Sequence, residues 1–416
     1  MRLLSHRALW SAAALPVLLG LTCLNPGPQI IGKTVDWQLR TVNSVANVRP
    51  SAVQIADFDG DSLPDIAVAY EGLSPSPPAV IIFFQTDEDN WSGVQIGSGA
   101  ELTGVAALTI GDVDADGHSD VIAACNGRLL YLHSPADPRQ EAGWTASTIA
   151  NSDDSGVGQW SDVIVGSIDG VNGIDIVASN STKGWLSWFV NPSNAANGTG
   201  WTRVHIDATS RAGADGVAID DVDSDGRNDV LSTAPTESSA RVAWYKNPTN
   251  PAATAWTKYT IGNMGAATRV VPGDLNVDGR NDAVAVNSLG HQVGWYVHPS
   301  TATSTWSGYE ITEFTLPTSS VPEPVDVKVA FVDNNAQPDL VVACNTPGRL
   351  RWFVKVGDRA NSQTYPWGEN NIRDFTQNLG RIAVGDINHD GRPDVVAPLR
   401  AITGAADSIV WLENPE

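Results

Sequence analysis

An aspartate-rich string recurs seven times along this chain, and its even spacing restricts the fold more than any other feature. It reads DFDGDSLPDIAVA from Asp57, DVDADGHSDVIAA from Asp112, SIDGVNGIDIVAS from Ser167 and DVDSDGRNDVLST from Asp221. It continues as DLNVDGRNDAVAV from Asp274, FVDNNAQPDLVVA from Phe331 and DINHDGRPDVVAP from Asp386. Successive starts lie 55, 55, 54, 53, 57 and 55 residues apart. A fixed period of this length means one supersecondary unit repeated, each unit burying its apolar face against the next.

Two further strings keep step with the first. One is SWFVNP, AWYKNP, GWYVHP, RWFVKV and VWLENP, with weaker LYLHSP and IIFFQT in the first two units. The other is a tryptophan followed by a short alternating run, as in WTRVHI, WTKYTI and WSGYEI. It begins at Trp37, Trp91, Trp144, Trp201, Trp256 and Trp306, with a looser seventh at Trp367. Short apolar or alternating runs bounded by Gly, Asn, Pro and Asp are strand signals, and no stretch shows a capped helical period. Four strands per unit and seven units predict an all-β, seven-bladed β-propeller with four-stranded blades. The chain opens on a lone fourth-strand segment at Trp37 and closes on a lone third-strand segment at Trp411. The N-terminal DWQLRTV is therefore expected to join the last blade beside SIVWLEN, closing the ring and removing an open sheet edge. The propeller is expected over residues 36–416, with no room in that span for a second domain.

The acidic string is costly by itself. Two like charges about 5 Å apart at an effective dielectric near 20 repel by roughly 3 kcal/mol. Positions 1, 3, 5 and 9 carry Asp or Asn, and position 6 is mostly Gly, which permits a sharp turn. Hard oxygens at that spacing suit calcium, which takes six to eight of them. An EF-hand shares the first five positions, but it needs Glu at position 12 and flanking helices. Here a strand follows position 9 at once, as in DVLST.

DVDSDGRNDVL and its kin resemble the FG-GAP or VCBS repeat of integrin α-chain propellers and of many secreted bacterial and fungal proteins. The resemblance implies a loop between the first and second strands of each blade that binds calcium on the lower face. Carried onto this chain, the implied ligands are Asp57, Asp59, Asp61 and Asp65; Asp112, Asp114, Asp116 and Asp120; and Asp221, Asp223, Asp225 and Asp229. Asp274, Asn276, Asp278 and Asp282 follow, and then Asp386, Asn388, Asp390 and Asp394. The first copy has Ser62 at the glycine position, with Gly60 two earlier. The third copy departs at Ser167 and Val171, and the sixth at Phe331 and Asn335, so five calcium sites and two metal-free turns are expected. Such propellers serve as adhesion modules, lectins, scaffolds and, more rarely, polysaccharide lyases.

Net charge is −22, which argues against nucleic acid or an anionic membrane surface as partner. With 42% hydrophobic residues and 15 Trp the chain is not of disordered composition. Arg2 and Arg7 precede the apolar run ALWSAAALPVLLGLTCL, which Pro16 interrupts. Residues 1–24 read as a secretory signal and 25–35 as a short linker, so the protein is expected to be extracellular, without a membrane span, and monomeric. LGLTC ending at Cys23 fits a lipoprotein pattern poorly. Cys125 and Cys344 sit in matching strings, DVIAACNG and DLVVACNT, and read as buried free thiols.

With calcium on the lower face, a ligand is expected on the upper one. Of the tryptophans outside the repeat strings and the signal, two remain, Trp160 and Trp185, both in the third repeat. Their rings are candidates for stacking on a sugar, the alternative being that they pack on each other. Five residues before each acidic loop lie Ala52, Ala107, Asp162, Gly216, Arg269, Asp326 and Arg381, expected at the upper mouth of the central channel. The two Asp and two Arg among them are either structural ion pairs or a grip for an acidic or polyhydroxyl ligand. His291 falls in an upper loop beside the Arg269 blade. Three functions follow: binding of carbohydrate or a cell-surface glycoconjugate, a uronate lyase using Arg269 or Arg381 with His291 as base, and a protein-binding scaffold. Paired-carboxylate hydrolysis by Asp162 and Asp326 asks for two groups about 5 to 9.5 Å apart. No Gly-rich phosphate loop, nucleophile elbow, zinc signature or basic stripe is present. Sequons begin at Asn90, Asn180 and Asn197.

Overall fold

The computed structural model describes residues 36–415 except 73–76, 152–157, 210–212, 314–322, 334, 347, 356–366 and 403–405. The expected signal, linker and Cys23 lie outside the described residues. Seven antiparallel sheets follow one another along the chain. The third blade is typical, with strands Trp160–Gly166, Asp175–Asn180, Trp185–Val190 and Thr202–Asp207 in sequential order. In the last sheet the N-terminal strand Gln38–Val45 lies outside Asp407–Glu413, pairing Gln38 with Glu413 and Arg40 with Trp411. The ring closes as the sequence predicts. Arg40 adds an ion pair to Glu413 at 2.9 Å and another to Asp89 of the first blade at 2.7 Å.

The second strands, such as Asp65–Tyr70, Asp175–Asn180 and Asp339–Cys344, are buried along their whole length. They are covered on both faces by neighbouring blades, which is why they read as continuous apolar runs instead of alternating ones. The apolar clusters span blade boundaries. Ile122 and Tyr131 of the second blade share one with Trp160, Val163 and Phe189 of the third. Third-strand Trp188, Trp244, Trp295 and Trp411 are among the largest fully buried side chains. Glycines let the inner strands come together: a Cβ on Gly166 would lie 2.9 Å from Ile219 Cδ1 of the next blade. Cys125 and Cys344 are buried free thiols, as expected. No helix among the described residues is long and apolar enough to cross a membrane.

Candidate functional site: the acidic loops and the channel mouth

Each acidic string forms the turn from a blade's inner strand to its second strand. Position 1 anchors it. Asp112 accepts the amides of Asp116 and Gly117, both at 3.0 Å, and Asp221, Asp274 and Asp386 repeat this pattern. The chain is left-handed at positions 4 and 6. The pairs are Gly60 and Ser62, Ala115 and Gly117, Gly170 and Asn172, Ser224 and Gly226, Val277 and Gly279, and His389 and Gly391, with φ between 57° and 93°. The third loop keeps this path although its carboxylate pattern has decayed. Non-glycine residues at position 4, Val277 above all, adopt a conformation that is unfavourable for a branched side chain.

Position 9, counted among the ligands from the sequence, also has a structural set of partners. Asp65, Asp120, Asp175, Asp229, Asp282, Asp339 and Asp394 are fully buried. One oxygen of Asp120 accepts the amide of Val113 at 3.1 Å and the other that of Ser134 at 2.8 Å. Asp65, Asp175, Asp229 and Asp394 make the same two bonds, tying the loop to the end of the third strand. The two-ended clasp recurs in the first, second, third, fourth and seventh blades, and so survives in the third, which lacks the metal pattern; among the described residues Asp282 keeps the third-strand bond, to the His298 amide, and Asp339 keeps the loop bonds, to Val332 and Asp333. Burial pushes its carboxyl up, to about 7 for Asp65, Asp229 and Asp339 and to about 6 for Asp120, Asp282 and Asp394, with the amide donors opposing the shift where they bind.

The loops also gather oxygens. Carboxylates converge to within 4.8 Å in Asp57, Asp59 and Asp61, in Asp112, Asp114 and Asp120, and in Asp221, Asp223 and Asp225. One oxygen of Asp223 is buried without a hydrogen-bond partner. These three loops fit a hard divalent cation. In the fifth and seventh loops the amides of Asn276 and Asn388 turn their Nδ2 toward Asp278 and Asp390, at 3.0 and 3.3 Å. There the charge is lower. Side-chain cations also approach the loops: Arg139 pairs with Asp59 and Asp61, Lys246 with Asp223 and Asp225, and Arg280 and Arg392 with the position-5 aspartates. Arg139 and Lys246 come from outside their loops, and spacing did not reveal them.

At the opposite end of the channel, the inner-strand residues form internal pairs. Asp162 and Arg381, 219 residues apart, form an ion pair. Asp162 also accepts the amide of Val217 at 3.0 Å, and Arg381 donates to the Ser161 carbonyl at 2.6 Å. Arg269 binds Asp215 at 3.0 Å, and Asp326 accepts the amides of Val327 and Ile382, both at 3.0 Å, with Lys328 at 3.2 Å. Burial alone raises the Asp162 carboxyl. Arg381 and Arg269 outweigh it and hold the group below the usual carboxylate range. Of the two readings of these charges, the structure carries the ion pairs.

Trp160 does not stack on anything from solvent. It is fully buried, with its ring 5.6 Å from Phe189 in an edge contact. A long apolar ring at the start of an inner strand finds its burial between blades, so the expectation of an exposed surface is overturned. Trp185 is half-buried at the rim, with the Arg203 guanidinium 4.9 Å from its ring centre and His205 at its edge. The two tryptophans pack on separate partners. His291 occupies the turn before Gln292–Val297 with φ 55°. The guanidiniums it would serve in a lyase, Arg269 and Arg381, are already neutralised by carboxylates. Asn180 is fully buried, so its sequon is sealed in the folded chain.

The sequence matches the model of the FG-GAP-like repeat over residues 57–123, 221–285 and 332–397. No curated protein matches it. Among solved structures it is similar to BBS1N in complex with ARL6DN, at 11% identity and TM-score 0.53, covering 92% of this chain and 98% of that one. It is similar to the Dos1 propeller at 9% identity and TM-score 0.53, covering 90% and 94%. An Agrocybe aegerita lectin that recognises non-reducing terminal N-acetylglucosamine aligns at 13% identity and TM-score 0.48, over 78% and 80%. At these identities the likeness is one of fold.

Proposed function

Because the chain is a seven-bladed β-propeller built from FG-GAP-like repeats, we propose that it works as an extracellular binding module whose acidic loops hold calcium and whose opposite face meets a carbohydrate or glycosylated surface. The observation that carries the calcium part is the convergence of three carboxylates in each of the first, second and fourth loops. Calcium there converts mutual repulsion into coordination and pins the turn between two strands; Asn276 and Asn388 make the fifth and seventh loops weaker versions. Extracellular calcium modules bind at roughly 0.1 to 1 mM, which accords with export. Chelation should lower the melting temperature of the purified chain by many degrees, because calcium stabilises only the folded loops. An unchanged melting curve in excess chelator removes this part of the reading.

The binding surface is argued from Trp185. It is the half-exposed ring at the rim, and Arg203 beside it offers the hydrogen-bond donors that a sugar hydroxyl accepts from. A glycan array probed in calcium with wild type and with Trp185→Ala tests it; no signal on any glycan rejects it. Catalysis is the weaker reading, since the cationic groups of the mouth are spent on Asp162 and Asp215.

A further inference from the structure

The inner strand of each blade pairs within its sheet on one side, so its other edge faces the central channel. Alternate residues on that edge turn their N–H and C=O away from their own sheet. Toward the upper mouth, side chains take these groups. The Val327 and Ile382 amides go to Asp326 and the Val217 amide to Asp162, all at 3.0 Å, and the Leu108 carbonyl accepts from Gln54 at 3.0 Å. The equivalent groups two residues nearer the acidic loops belong, in the first, sixth and seventh blades, to Ile55, Val329 and Val384. These three share one register, paired with Ile66, Leu340 and Val395. All three line a single chamber of ≈ 520 Å³, with Phe331 and Pro393 of the sixth and seventh loops also in its wall. The chamber therefore opens on the face that carries the acidic loops.

We propose that this chamber binds a short extended peptide, apolar with basic residues, whose main chain pairs with the inner-strand edge at Val329 or Val384. A strand edge is a row of donors and acceptors at the spacing a second extended chain matches, and the alternate side chains of that chain then meet the wall. The volume falls in the range of roughly 300–1,000 Å³ typical of ligand sites. Phe331 supplies the second argument. It stands at position 1 of the sixth loop, where five of the other six copies carry Asp. The substitution removes the anchoring carboxylate, yet the ring is 57% exposed, so the fold gains little from burying it. An apolar side chain seated in the chamber would cover it. Charge sets the sign of the ligand. Lys328, also in the wall, is paired with Asp326 at 3.2 Å and so is balanced within the fold. The chain as a whole carries −22, and the chamber opens among acidic loops. An acidic peptide is repelled from that face and a basic one is drawn to it. The site lies at the opposite end of the channel from Trp185 and depends on neither calcium nor glycan binding.

The experiment selects a displayed library of random short peptides against the full chain, then titrates the enriched peptides, synthesised with a fluorophore, by anisotropy. Enriched sequences should be apolar with Lys or Arg and poor in Asp and Glu. Phe331→Ser should weaken their binding by at least about tenfold. The ring is exposed, so its removal should leave the melting curve unchanged. A second measurement is independent of any variant's folding. The same peptides N-methylated along the main chain cannot donate to a strand edge, and they too should bind wild type at least about tenfold more weakly. Trp185→Ala should bind the unmodified peptides as wild type does. No enrichment, enrichment of acidic sequences, or full affinity retained either in Phe331→Ser or by the N-methylated peptides overturns the proposal. Loss of peptide binding in folded Trp185→Ala would place the peptide on the opposite face and overturn it as well. Peptide binding at the chamber with no glycan bound by wild type would sustain this site while refuting the carbohydrate reading.

Discussion

Asp162 and Arg381 stand 219 residues apart in the chain and form an ion pair at the mouth of the central channel. The bond links the third blade to the seventh, so it reports on closure of the whole ring. Asp162→Asn strands a guanidinium that is 15% exposed. It should cost about 3 kcal/mol in urea unfolding, because a buried charge loses its partner. The double variant Asp162→Leu/Arg381→Met should recover most of that loss. Equal loss in single and double variants would show that packing, not the pair, is responsible. The pair is also acid-sensitive in a defined direction. Its carboxyl is held low in the fold, so its contribution is complete above the usual carboxylate range and fades as pH falls through the lowered value.

Trp160 and Trp185 should separate stability from binding. Trp160→Ala opens a cavity between two blades and should destabilise by about 3–5 kcal/mol. Trp185→Ala should change stability far less and abolish glycan binding. Thermal melts and the array together check both; an intact array signal in folded Trp185→Ala would exclude its ring from the binding surface.

Lys246 competes with any cation in the fourth loop, since its ammonium bonds both Asp223 and Asp225. Lys246→Met should therefore strengthen calcium binding at that loop, by about tenfold or more if the ammonium must be displaced. Calcium titration of the variant against wild type is the measurement, with Asp223→Ala as the variant that empties the same site.

The clasp aspartates give the metal-stripped chain an unusual pH profile. The folded pKa values of Asp65, Asp120, Asp229, Asp282, Asp339 and Asp394, about 6 to 7, lie above the ordinary carboxylate value. On acidification the folded chain takes up protons before the unfolded one does. The stability from these groups is complete below the ordinary carboxylate range and is lost as pH rises through 6 to 7. Melting temperature in the absence of metal should thus rise as pH is lowered from 8 toward 5. A monotonic fall over that window would mean that the carboxyls stay ionised at their amide donors.

The loops show where spacing stops being informative. Positions 1, 3 and 5 are legible because they are local: each bonds within five residues of itself. Position 9 looks identical in sequence, yet it has long-range partners as well. Its partners include Ser134 and Asn247, 14 and 18 residues on, delivered by the third strand. The left-handed turn at position 4 was equally hidden, because Ala115, Val277 and His389 carry no turn signal of their own.

Periodicity in the amino-acid sequence was sufficient to determine the seven blades, their four strands and the closing N-terminal strand, because burial on a repeated sheet imposes its pattern on near neighbours along the chain. The choice between exposed and buried for Trp160, between ligand grip and ion pair for Asp162 and Arg381, and the meeting of Ile55, Val329 and Val384 at one chamber were decided only by the tertiary structure. Those outcomes depend on which residues from distant repeats meet across a blade boundary or the channel, and distance along the chain does not encode that meeting.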